Sequence, residues 1–131
     1  MRPRHGGAPE LAIQVFADPD LYVIRLAGEL DLASADAVET ALLDAERRAR
    51  SNVLVDLEGL RFIDSTGMRL LLQAKRRAED DGLVLRVTGA QGAVARVLRL
   101  TGIESELAFE PRVAGPAPGP GGGSPPVNGR D

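Results

Sequence analysis

The chain has 131 residues, 44% of them hydrophobic, with a formal net charge of −3, enough for one packed domain and not two. The mild negative balance argues against a general affinity for nucleic acid or anionic membrane. There is no cysteine and His5 is the only histidine, which excludes disulfides, thiolate chemistry, imidazole-based metal sites and histidine general-base catalysis.

Residues 1–9 read as a disordered leader, with no apolar segment of the signal-peptide type. No apolar run reaches the roughly 18 residues of a spanning helix, so the expected setting is the cytoplasm. The folded part is expected over 10–113. Leu11, Ile13 and Val15 alternate with other residues and predict a half-buried strand. Asp18-Pro19-Asp20 is a turn signal, and Leu21–Leu26 follows as a second, antiparallel strand. Gly28-Glu29-Leu30-Asp31 closes that strand and opens a loop to Ser34.

Ser34 is placed to cap a helix, with Asp36 in its first turn. Val38, Ala41, Leu42, Ala45 and Ala49 form its apolar stripe. Val53–Leu57 is almost continuously apolar and predicts a parallel central strand covered on both faces. Glu58–Gly67 is expected as a loop, after which a second helix starts near Ser65 and stops at Gly82. Leu83–Val87 predicts another strand and residues 91–101 a third helix, with a short last strand near Leu107–Phe109. The fold class expected is one small α/β domain with a mixed four- to five-stranded sheet and three or four helices. Residues 114–131, rich in Pro and Gly, read as a flexible tail. The Pro spacing there also suits a PxxP ligand, a rarer use of such tails than a solvated linker.

Sites in open α/β sheets form beyond the carboxyl ends of parallel strands, beside helix N-termini. Asp64-Ser65-Thr66-Gly67 holds that position. Either Asp64 or Ser65 is able to cap the helix. Gly67 in a first helical turn costs up to about 1 kcal/mol relative to alanine, which points to a close approach to the backbone. A nucleophilic Ser65 lacks a base, and there is no nucleophile elbow and no phosphate-binding Gly-rich loop. Asp31, Asp56 and Asp64 are weighed as a metal cluster, but turn and cap roles explain such residues more simply. No catalytic residue, metal or cofactor is therefore expected.

The pairing of Gly28-Glu29-Leu30-Asp31, Val53-Leu54-Val55-Asp56-Leu57 and Phe62-Ile63-Asp64-Ser65-Thr66-Gly67-Met68 resembles STAS domains, and among them the bacterial anti-sigma factor antagonists. The resemblance covers about residues 10–110. It implies a non-enzymatic switch in which Ser65 is phosphorylated by a partner serine kinase that is also an anti-sigma factor. The unphosphorylated form binds that kinase and frees a sigma factor, and a serine phosphatase reverses the modification. It further implies that Asp31, Asp64, Thr66, Gly67 and Met68 belong to the partner surface. Thr66 is the competing acceptor. The alternative is a STAS scaffold or accessory subunit, of stressosome or lipid-transport type, that never cycles through phosphate. A monomer or weak dimer is expected.

Overall fold

The computed structural model describes residues 10–107, together with the backbone of 109 and 110. The elements run β1 (Leu11–Ala17), β2 (Tyr22–Leu30), α1 (Ala35–Arg48), β3 (Asn52–Ile63), α2 (Ser65–Asp80), β4 (Val84–Thr88), α3 (Gly92–Leu100), α4 (Ile103–Glu106) and β5 (Phe109–Glu110). The five strands form one sheet in the order β1-β2-β3-β4-β5. β1 is antiparallel to β2, and the other pairings are parallel, so the sheet is mixed. The expected leader and tail lie outside the described residues.

The first hairpin turns where Asp18-Pro19-Asp20 directs it. The Asp18 carboxylate accepts the amides of Asp20 and Leu21, at 2.9 and 2.8 Å. The Asp18 amide donates to the Leu21 carbonyl at 3.0 Å. This is the local side-chain chemistry that makes aspartate a turn former.

Burial alternates along the strands. Ile24 and Leu26 of β2, Val53, Val55 and Leu57 of β3, and Leu85 and Val87 of β4 are buried. Their intervening neighbours Val23, Arg25, Leu54, Asp56, Val84 and Arg86 are partly or fully exposed. The register places each set on one face, so the core lies on a single side of the sheet. Val38, Leu42 and Ala45 of α1 and Leu71, Ala74 and Ala78 of α2 complete it. This corrects the expectation that Val53–Leu57 is covered on both faces. Leu54 makes the run look continuous, but it pairs across the open face with Val23 and Arg86. On that face Arg25 lies 4.9 Å from the Phe16 ring centroid and 3.2 Å from Asp56, which keeps its head group solvated and paired.

Two strands are longer than expected. β2 continues through Gly28 to Leu30, and β3 continues through the segment Glu58–Ile63 that was expected as a loop. The β2–β3 pairing shifts register between Arg25 and Ala27 and again between Gly28 and Glu29. Such irregularities insert unpaired residues, break the alternation of side chains and hide a strand from a period-2 reading. Gly28 adopts a φ of 114° at the second shift. There a side chain would strike the Glu10 carbonyl, which accepts the Glu29 amide at 2.9 Å.

A fourth helix, Ile103–Glu106, follows Gly102 in its left-handed conformation. Two long-range ion pairs fasten α2: Arg77 reaches Glu46 of α1 with Nε and Nη2, at 2.8 and 2.9 Å, and Arg76 reaches Glu106 of α4 at 3.4 Å.

Candidate functional site

The site is set by two adjacent strand ends. Leu30 of β2 pairs with Ile63 of β3, and the Asp64 amide donates to the Leu30 carbonyl at 3.2 Å. Asp31 and Asp64 therefore leave the sheet side by side.

Asp64 is the cap of α2. Its backbone is extended, with φ −111° and ψ −174°, and its Oδ1 accepts the Gly67 amide at 3.0 Å. The sequence allowed either Asp64 or Ser65 in this role. Ser65 is instead the first helical residue, exposed, with its hydroxyl in no hydrogen bond among the described residues. Thr66 is half-buried.

Gly67 is explained from inside the protein. A Cβ placed on it would lie 2.6 Å from Cγ of Leu30 and 2.9 Å from Cγ1 of Ile63. The close approach inferred from sequence is thus made by the two strand ends under the helix. Gly67 is buried and Met68 is only 8% exposed, with its sulfur 3.8 Å from the Thr101 hydroxyl. Both were expected on the partner surface. Their burial corrects this: they seat α2 against β2, β3 and the end of α3.

Asp31 and Ser34 lock the other loop. The Ser34 hydroxyl accepts the Asp31 amide at 3.1 Å and donates to the Glu29 carbonyl at 2.9 Å, while the Asp31 carboxylate accepts the Ser34 amide at 3.2 Å. Ser34 occupies the cap position of α1, as expected, but its side chain makes no capping bond to that helix. It braces the β2–α1 turn instead. Asp56 is held elsewhere, by Arg25 and by the Glu58 amide at 2.9 Å. No group of three or more potential metal ligands occurs among the described residues.

Sequence reasoning missed the apolar rim. Leu32 is 76% exposed and Phe62 47% exposed; one lies just beyond Asp31 and the other two residues before Asp64. A leucine inside a polar turn and one of only three phenylalanines were the available signals. Beside Phe62, Arg61 pairs with Glu29 at 3.6 Å. The result is a surface at the strand ends where α2 begins, with Ser65, Leu32 and Phe62 exposed and the carboxylates of Asp31 and Asp64 half-buried. Such a surface suits docking. A buried base beside the hydroxyl, which nucleophilic chemistry requires, is not supplied by these residues.

No helix among the described residues is long and apolar enough to cross a membrane. Comparison with known proteins agrees with this fold. An anti-sigma-B factor antagonist from Staphylococcus epidermidis is 24% identical over 94 residues, covering 72% of this chain and 87% of the relative. The crystal structure of an anti-sigma factor antagonist from Mycobacterium paratuberculosis superposes with a TM-score of 0.73 at 22% identity, covering 81% of this chain and 91% of the other. The Bacillus cell fate determinant SpoIIAA in its phosphorylated form gives 0.62 at 23% identity, over 79% and 93%. The family model for the STAS domain matches residues 12–115, and the chain belongs to that family.

Proposed function

We propose that the chain is an anti-sigma factor antagonist, acting in the cytoplasm and switched at Ser65. In the unmodified state the surface around Ser65 docks on an anti-sigma factor that is also a serine kinase, and a sigma factor is released. The kinase then transfers the γ-phosphoryl group of ATP. Ser65 Oγ forms the new P–O bond, the bond to the ADP oxygen breaks, and the hydroxyl proton passes to a base of the kinase. A serine phosphatase hydrolyses the phosphoserine and resets the switch.

The observation that carries this reading is the division of work between neighbours. Asp64 holds the helix cap, so the exposed Ser65 hydroxyl is available for modification without loss of a structural bond. A phosphate adds about −1.5 to −2 charge units. The helix dipole tolerates such a charge at its N-terminus, so the fold stands. The docked surface does not tolerate it: Asp31 and Asp64 already lie there, and disrupting a desolvated polar contact costs about 2–5 kcal/mol, roughly 30-fold to several thousand-fold in affinity.

The test is incubation with the source cell's anti-sigma-type serine kinases and ATP, followed by phosphosite mapping by mass spectrometry. Phosphate is expected on Ser65 and absent from Ser65→Ala. Ser65→Asp is expected to lose kinase binding with an unchanged circular dichroism spectrum. No incorporation by any such kinase, or incorporation elsewhere, refutes the switch.

A further inference from the structure

We propose that Arg69 is the counter-charge for a phosphoryl group on Ser65, so that modification closes an ion pair along one turn of α2. This rests on the proposed modification of Ser65. Ser65 and Arg69 are both exposed and stand four residues apart on the same helix. At that spacing the Cβ atoms are about 5–6 Å apart, and an acid four residues N-terminal to a base is the favourable order. Helical side chains also lean toward the N-terminus, which carries the guanidinium of Arg69 toward residue 65.

The other basic side chains of α2 are occupied. Lys75 pairs with Glu79, Arg76 with Glu106 and Arg77 with Glu46. Arg69 alone among them has no acidic partner among the described residues. Its neighbours at three and four residues are Ser65, Thr66, Leu72 and Gln73, none of them acidic. A phosphate on Ser65 is the negative charge that this helix face otherwise lacks. Guanidinium and phosphate match as a two-pronged, charge-assisted hydrogen-bonded pair.

The pair favours the phosphate dianion, whose second ionisation ordinarily lies near pH 6. The test is a phosphorus-31 NMR titration of the full chain with phosphoserine installed at position 65 during translation. The titration midpoint should lie about 0.3 pH unit or more below that of Arg69→Gln, with Arg69→Lys between them. The gap should close in about 1 M salt. In the unsubstituted protein, one arginine Nε–H resonance should move on comparing the phosphorylated and unmodified forms. Coincident midpoints, or no moving arginine resonance, overturn the proposal. Because the phosphate is installed without a kinase, failure of kinase labelling refutes the proposed switch and leaves this ion pair tested on its own terms.

Discussion

Replacing Gly67 by alanine adds one methyl group where the helix start meets two strand ends. The new Cβ would lie 2.6 Å from Leu30 Cγ and 2.9 Å from Ile63 Cγ1. Both atoms are γ carbons near the base of their side chains, not flexible far ends, and both side chains are buried. The strand ends cannot swing away freely, since Leu30 pairs with Ile63 and its carbonyl accepts the Asp64 amide at 3.2 Å. Overpacking costs about 1–3 kcal/mol, and two contacts under 3.0 Å put this site in the upper part of that range, about 2–3 kcal/mol. Alanine's better helix propensity returns about 1 kcal/mol, leaving a net loss of about 1–2 kcal/mol. For a domain of this size that lowers Tm by roughly 4–15 °C. Urea denaturation followed by circular dichroism should show a lower midpoint at an unchanged slope. The same substitution in a Leu30→Ala background should cost less, because the obstructing branch is gone. The coupling between the two should exceed about 0.5 kcal/mol. A Gly67→Ala protein as stable as its parent, or strictly additive penalties, would refute the packing argument.

Two further outcomes follow from named contacts. Asp64→Ala removes the cap bond to the Gly67 amide and should cost about 1 kcal/mol, whereas Ser65→Ala should stay within about 0.5 kcal/mol; the reverse ranking in urea melts would return the cap to Ser65. Arg77→Ala should cost about 2 kcal/mol and more than Glu46→Ala, because it strands a carboxylate whose side chain is 7% exposed, while Arg77 at 33% keeps access to water. The Glu46 hydrogen bond raises the Arg77 pKa above its ordinary alkaline value, against the opposing effect of burial. That contribution is complete below the ordinary arginine range and is lost only as pH rises through the raised value. The deficit of Arg77→Ala should therefore be constant between about pH 6 and 9, and a deficit that fades across that range would contradict the assignment.

The elements legible in the sequence were those whose signals are local. Asp18-Pro19-Asp20 fixed the hairpin, and the stripe of Val38-Leu42-Ala45 fixed the buried face of α1. The far half of β3 was not legible. Its pairing with β2 slips twice, so Leu60, Phe62 and Ile63 lose the period of two that identifies a strand. Nor could the run Val53–Leu57 reveal that one face of the sheet is open, since the number of covering layers is a tertiary property. At the site, Asp64 and Ser65 are both good capping residues, and only the extended backbone of Asp64 and its bond to Gly67 separate them. The glycine's tight surroundings were inferable from its helical cost, but the identity of the neighbours was not. The exposure of Leu32 and Phe62 depends on how the ends of β2 and β3 are covered, which no local pattern encodes.

The helix cap at Asp64 has a consequence for how such a chain can drift. The residue that shapes the helix and the residue that would carry the signal are adjacent but separate. Losing the hydroxyl at position 65 therefore leaves folding almost untouched, and stability alone exerts no pressure to keep it. One substitution is enough to turn a responsive domain into a constitutively unmodified one that still folds and still presents its surface. Only a signalling use of Ser65, as proposed above, would preserve it.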